Sequence, residues 1–442
     1  MTPEPQVNEL VEHLFRHQAG RMLAVLTRVL GFDNLDLAEE AVQDALVQAL
    51  RQWPFHGVPD HPRVWLIQVA RNKALDRLRR QTSFRRKEHI LEQLLEQRQA
   101  TQALPDRPGA DDLDDDQLAM IFACCDPALP SDAQVALTLK AVSGFSVSEI
   151  ARAFLAEEPA IAQRLVRAKK RIRDTGITLA VPHPRELPNR LDSVLRVLYL
   201  VFSEGYGAHG GENLVREDLC GEAMRLAGLL AAHPATGLPK THALLALFCF
   251  HAARLSTRLD GDGNLLLLAD QPRAEWDQSL VNHGLTALDR AADGDELTEY
   301  HLQAGIAAVH ATSPGFDETD WPYLLGLYDS LLALAPSPVV ALNRAIVLSM
   351  VEGPAVALES LSTLDSNPAM ANYYLLPAVR ADFFRRLGET SSAIDCYRQA
   401  LAGTCTEPER LFLEKRLESL RTNPPRSPRP SRASRGPARE PD

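Results

Sequence analysis

The sequence predicts an all-α protein in three parts: two small helical domains, the second a helix-turn-helix, followed by an α-helical, tetratricopeptide-like C-terminal domain. Three observations carry this expectation. Apolar residues recur at helical spacing in nearly every window, while few stretches read as strands. An acidic, Pro- and Gly-containing stretch, Pro105 to Asp116, separates the first two helical parts. Towards the C-terminus a pattern of small and large residues repeats at a fixed interval.

At 442 residues the chain is too long for one small domain, and 45% apolar with 24% charged residues is a globular composition. Apolar runs such as Leu244 to Phe250 and Leu265 to Ala269 fall far short of the ~20 residues that span a bilayer. The start Met1-Thr2-Pro3-Glu4-Pro5 lacks the basic-then-apolar order of a secretory signal, so a cytoplasmic address without membrane attachment is expected. Six cysteines without a CxxC pair point to neither disulfides nor zinc. A net charge of -11 argues against generic nucleic-acid binding, but cations segregate locally.

Residues 1–90 form the first domain. Val7, Leu10, Val11, Leu14 and Phe15 follow helical spacing, which resumes through Met22, Leu26, Val29 and Leu30. After Gly31 a second helix carries the stripe Leu35, Ala38, Val42, Ala45, Leu46, Ala49, Leu50 and Trp53, and Pro54 with Gly57 stops it. A third helix runs from Arg63 to about Arg80. Its second half is densely basic: Arg71, Lys73, Arg77, Arg79 and Arg80, then Arg85, Arg86 and Lys87, opposed by Asp76 and Glu88 alone. That is the footprint of phosphate binding, and Trp65, Asn72 and Phe84 beside it can stack on or hydrogen-bond to bases.

Residues 91–116 read as an acidic linker and 117–180 as the second helical domain. Ser148 to Arg173 fits a helix-turn-helix: Ile150, Ala151 and Phe154 pack from the first helix against Ile161 and Leu165 of the second, and Glu158-Pro159 suits a helix entry. Leu155 takes the turn position where Gly is common. The outer face, Gln163, Arg164, Arg167 and Lys170, can reach base edges and phosphates in a major groove.

Residues 190–420 form the C-terminal part. Ala345, Leu348, Gly353, Ala357, Leu361 and Leu364 are echoed by Ala381, Phe384, Gly388, Ala393, Tyr397 and Ala400, and Ala357 and Ala393 stand 36 residues apart. The interval is close to the tetratricopeptide period of about 34. Residues 421–442, rich in Pro, Arg and Ser, read as a disordered tail.

The first 180 residues resemble the extracytoplasmic-function sigma factors of bacterial RNA polymerase. The blocks stand in order: LAEEAVQDALVQALRQWP, PRVWLIQVARNKALDRLRR, VALTLKAVSGFSVSEIARAFL and AIAQRLVRAKKRIR. The remainder resembles the long C-terminal extension of one subgroup, in VLYLVFSEGY, LCGEAMRLAGLL, DQPRAEWD, LQAGIAAVHA, SPVVALNRAIVL and RADFFRRLGE. Departures are Pro272, where an Asp is expected, and Ala160, where a Thr is expected. The resemblance implies three surfaces. Asp36, Glu39, Glu40, Gln43 and Asp44 would dock on core RNA polymerase. Trp65, Arg71, Asn72, Arg77, Arg79 and Arg80 would hold the melted minus-ten strand. Ala160, Gln163, Arg164, Arg167 and Lys170 would read the minus-thirty-five duplex. The implied partners are bacterial core RNA polymerase, promoter DNA and a protein or peptide on the C-terminal helices, which would regulate the factor. No cofactor and no metal are implied.

From the residues alone, Asp36 and Glu39 also fit a helix-capping pair on a solvated face. An autonomous helix-turn-helix regulator, or a helical-repeat scaffold with incidental basic helices, remains open beside the sigma reading. Enzymatic readings lack a constellation: Glu204 to Gly211 has no Gly-Lys-Ser/Thr ending, the scattered His209, His233, His242 and His251 lack metal-ligand spacing, and no nucleophile elbow stands out.

Overall fold

The computed structural model describes residues 19–80, 110–154, 156–183, 185–207, 215–371, 373–403 and 405–422; at 63, 78–80, 110–115, 152–153 and 369 it describes the backbone alone. Among the described residues the chain is helical, with one isolated bridge between Leu259 and Leu265. Residues 1–18, Phe84 to Lys87, Leu155 and the expected tail from 423 lie outside them.

The described chain divides into two compact units, the first running to residue 207 and including 215–252 and 278–296. It begins with α1 (19–30), α2 (Leu35–His56) and α3 (Pro62–Arg80). Met22, Leu26 and Leu30 of α1 and the α2 stripe Leu35, Ala38, Val42, Ala45, Leu46, Ala49 and Trp53 are buried as the spacing predicts. Leu50 departs from the prediction: it sits at the edge of the stripe and is 40% exposed. Pro54 does not stop α2 either. A proline so near the end forfeits a single backbone bond, and the helix continues to Gly57, whose φ of 83° is the left-handed conformation that ends it.

Four helices follow: α4 (Ala110–Cys124), α5 (Ser131–Leu137), extended by a π turn over Thr138–Val142, α6 (Val147–Ala153) and α7 (Glu158–Thr175). The start of α4 lies inside the segment expected as linker. Its aspartates crowd the first half of the helix, where the dipole favours negative charge. Asp116 is moreover buried and paired with Arg28 of α1, a long-range compensation invisible in local composition. Residues 91–109 of the expected linker lie outside the described residues. In the helix-turn-helix, Ile150, Ala151, Ile161 and Leu165 are buried, Phe154 is half-buried, and Pro159 stands in the first turn of α7.

The unit is completed by α8 (Leu187–Tyr206), α9 (Glu217–Ala232), α10 (Pro239–Ala252) and α11 (Gln278–Ala291). Every residue of α10 from Lys240 to Phe250 is buried, which suits its apolar circumference and makes it the central helix of this group. Gly284 of α11 lets the Phe250 ring approach so closely that a β-carbon there would lie 2.8 Å from it. α8 also packs on α4 and α5. The segment expected as one C-terminal domain is thus shared between the two units.

The second unit holds 253–277 and 297–422, with α12 (Glu299–Thr312), α13 (Trp321–Leu334), α14 (Pro338–Val351), α15 (Pro354–Leu361), α16 (Leu375–Leu387), α17 (Thr390–Leu401) and α18 (Glu407–Thr422). Successive helices pack in antiparallel pairs, α14 with α15 and α16 with α17. The predicted small residues sit where the pairs touch: Ala345, Ala357, Ala381, Ala393 and Ala400 are all buried at 0–1% exposure. Gly353 and Gly388, at φ 92° and 81°, make the turns within the two pairs.

Candidate functional site

The helix α7 carries three distinct surfaces. Ile161, Leu165, Ala168 and Ile172 recur at i, i+4, i+7 and i+11 and are buried. Gln163, Arg167 and Lys170 lie on the far side and are exposed, as is Ala160. Arg167 donates to Gln163 Oε1 at 3.0 Å, while Arg164 is half-buried and ion-paired with Asp132 at 2.9 Å. These residues flank a groove between α7 and the segment Pro127 to Ala133. The reading face predicted from spacing therefore stands open, with Arg164 held at its edge.

On the flank between core and reading face sit Lys169 and Arg173. Lys169 Nζ donates to Asp36 Oδ1 at 2.7 Å and Glu39 Oε2 at 2.8 Å, and Arg173 lies 3.6 Å from Asp36. The Lys169 side chain is only 11% exposed. Burial pulls the pKa of its ammonium down, but the Glu39 and Asp36 carboxylates outweigh that and the net displacement is upward. Asp36 and Glu39 thus serve as the carboxylate clamp of a lysine 130 residues or more away. They are not a capping pair: Asn34 precedes α2, and no side chain caps it.

The other acidic residues of α2 are engaged as well. Arg77 of α3 pairs with Glu40 and, at 2.8 Å, with Asp44. Gln43 is exposed and borders a small cleft with Lys140 and Gly144. On α3, Trp65 is half-buried with its ring 5.5 Å from that of Trp53. Arg71 is half-buried, Asn72 and Lys73 are exposed, and Gln68 lies 3.4 Å from Asn72 Oδ1. Arg79 and Arg80 close the helix, and their side chains lie outside the described residues. The residues expected to hold the melted strand are therefore gathered on one helix, with Arg77 turned towards α2.

Sequence reasoning missed the contacts between these modules. Arg28 of α1 pairs with Asp116 of α4. Gln117 Oε1 accepts from Arg21 Nε at 3.4 Å and from Arg225 Nη1 at 3.5 Å, joining α1, α4 and α9. Arg190 of α8 pairs with Asp126 at 2.8 Å and donates to the Phe122 carbonyl at 2.7 Å. No local periodicity signals these pairs, because their partners are far apart in sequence.

Comparison with known families now decides the assignment. Residues 14–84 match the model of sigma-70 region 2, and residues 120–172 match that of sigma-70, region 4. The chain belongs to the sigma-70 family, as an extracytoplasmic-function-like sigma factor with a C-terminal extension. Within that extension, residues 190–292 match a family of unknown function, DUF6596. An uncharacterized protein of Rhizobium meliloti (strain 1021), R00370, is 39% identical over 401 residues, covering 89% of this chain and 92% of its own. No solved structure matches.

In this sigma factor, α2 and α3 belong to region 2 and α7 to region 4. The Lys169 bridge therefore ties region 4 to region 2, and the Arg190 bridge ties the start of the extension to region 4. Among the described residues no group of His, Cys, Asp or Glu is arranged to hold a metal, and no helix is long and apolar enough to cross a membrane.

Proposed function

We propose that this sigma factor binds bacterial core RNA polymerase through the α2 face formed by Asp36, Glu39, Glu40, Gln43 and Asp44, and that its C-terminal extension regulates the outcome. The exposed face of α7, with Ala160, Gln163, Arg167 and Lys170 and with Arg164 at its edge, reads the minus-thirty-five duplex. Trp65, Arg71, Asn72, Arg77, Arg79 and Arg80 of α3 receive the melted minus-ten strand, cations against its phosphates and the aromatic ring against its bases. The polymerase supplies the chemistry; the factor supplies selection. The helical pairs of the second unit take up a protein or peptide, as stacked helix pairs do along their shared surface.

The observation that carries the reading is the division of α7. Its apolar stripe is spent on the helix-turn-helix core, yet Gln163, Arg167 and Lys170 stay at the surface as a cationic and amide face. Gel-filtration co-elution with sigma-free core polymerase tests the docking face. The expected result is co-elution of the full chain and its loss in the Glu40→Lys, Asp44→Lys variant. Failure of the unaltered chain to join core at micromolar concentration would leave an autonomous DNA-binding regulator as the better account.

A further inference from the structure

One residue on the reading side of α7 is held by a carboxylate from outside the helix. Arg164 Nε lies 2.9 Å from Asp132 Oδ2, and among the described residues the Nη1 and Nη2 groups of that guanidinium have no partner. Both side chains line a groove of about 600 Å³ between α7 and the segment Pro127 to Ala133, and the exposed Arg167 and Arg171 continue its cationic side. The wall that carries Asp132 is fixed from behind. Gln134 of α5 is buried and donates from Nε2 to the Asp126 carbonyl at 2.9 Å and the Leu129 carbonyl at 3.0 Å, with Leu129 and Ala133 buried beside it. We infer that Arg164 reads a guanine of the minus-thirty-five duplex and that Asp132 is the residue that positions it. The inference rests on the duplex-reading role proposed for α7.

Exposure, charge and geometry together point to positioning. The Asp132 side chain is 58% exposed and that of Arg164 33%, and an ion pair so open to water contributes little to folding. A carboxylate on the rim of a cationic groove also repels the phosphates that Arg167 and Arg171 would attract, so Asp132 weakens binding that depends on charge alone. What it supplies is orientation. An arginine has much rotamer freedom to lose on binding, and a fixed partner at Nε removes part of that loss in advance. Because the guanidinium is planar, engaging Nε leaves the Nη1 and Nη2 edge to donate two parallel hydrogen bonds. Guanine matches that edge in the major groove, with O6 and N7 accepting side by side. Adenine replaces one of these acceptors by a donor, and the pyrimidines offer at most one acceptor. Arg164 also stands in the first half of α7, the part of a recognition helix that meets base edges.

The test is enrichment of duplexes with a randomised upstream segment by sigma-free core polymerase together with the full chain, set against core alone. Four forms of the chain are compared: unaltered, Arg164→Ala, Asp132→Ala and the double variant. The unaltered chain should favour guanine at one position by roughly 10- to 100-fold over the other bases. Arg164→Ala should abolish that preference and leave the other positions as they were. Asp132→Ala should lower the same preference about five- to tenfold, and in the Arg164→Ala background it should change nothing further there, since a positioning residue acts only through the group it positions. A guanine preference of full size in Asp132→Ala overturns the positioning role. Every preference intact in Arg164→Ala overturns the assignment of Arg164 to a base. Preferences weakened evenly at all positions by Asp132→Ala make the ion pair a brace of the fold and overturn the inference as well. If the unaltered chain enriches no element beyond core alone, the duplex-reading role of α7 fails and the inference falls with it.

Discussion

Arg190 stands at the start of the extension and touches region 4 twice, through the Asp126 carboxylate at 2.8 Å and the Phe122 carbonyl at 2.7 Å. The Arg190 side chain is 22% exposed and that of Asp126 14%, so the pair is shielded but not dry. Replacing Arg190 by Met keeps most of the aliphatic packing. It leaves a carbonyl without its donor and a carboxylate without its cation at the end of α4. Breaking a fully buried pair costs 3–5 kcal/mol and orphaning a buried acceptor 1–3, so with partial wetting about 2–3 kcal/mol is expected here. Arg190→Lys keeps the charge but cannot make both contacts, and about 1 kcal/mol should be lost. Hydrogen exchange of amides 117–126 in the full chain reads the loss locally, where 2–3 kcal/mol appears as roughly 30- to 150-fold faster exchange. Unchanged protection in Arg190→Met would refute the view that the extension braces region 4.

Other consequences follow from the same contacts. Ala393→Leu inserts three carbons where α16 and α17 meet at a residue with 0% exposure, and should lower the stability of the second unit by about 1–3 kcal/mol in thermal unfolding followed by circular dichroism. Burial, reinforced by Arg254 and Arg273, depresses the pKa of the His310 imidazole from its ordinary 6.5 to about 4. His310 therefore stays neutral in the fold while the unfolded chain gains a proton. Its contribution, about 3 kcal/mol by linkage, is complete above pH 6.5 and is lost as pH falls towards 4; a His310→Gln variant should show a flatter melting profile across that window. Arg167→Ala with Lys170→Ala should weaken duplex binding by the full chain and reduce the slope of log affinity against log salt by about 2 if both cations meet phosphates.

What the sequence disclosed and what it hid divide along the distance between partners. The α2 stripe from Leu35 to Trp53, the packing of Ile150, Ala151, Ile161 and Leu165, and the echo of Ala357 in Ala393 all express local periodicity, and the structure buries every one of these residues except Leu50. The three candidate surfaces were likewise legible as charge segregated on single helices. Their state was not. Asp36 and Glu39 read as a docking surface or as a capping pair on a solvated face because Lys169 lies far along the chain, and Arg77 read as a free cation because Glu40 and Asp44 belong to another helix. The run of aspartates before Gln117 read as linker for the same reason: Arg28, which pairs with Asp116, is 88 residues away. Leu50 shows the limit of periodicity itself, since a position at the edge of a stripe can face solvent with no change of spacing.

Promoter selection is the activity on which the account stands, and transcript mapping measures it most directly. Sigma-free core polymerase would be incubated with fragmented bacterial DNA, alone and with the full chain, and the 5′ ends of the transcripts sequenced. The account predicts starts confined to sites sharing two upstream elements and absent with core alone. Transcripts no different from those of core alone would contradict it.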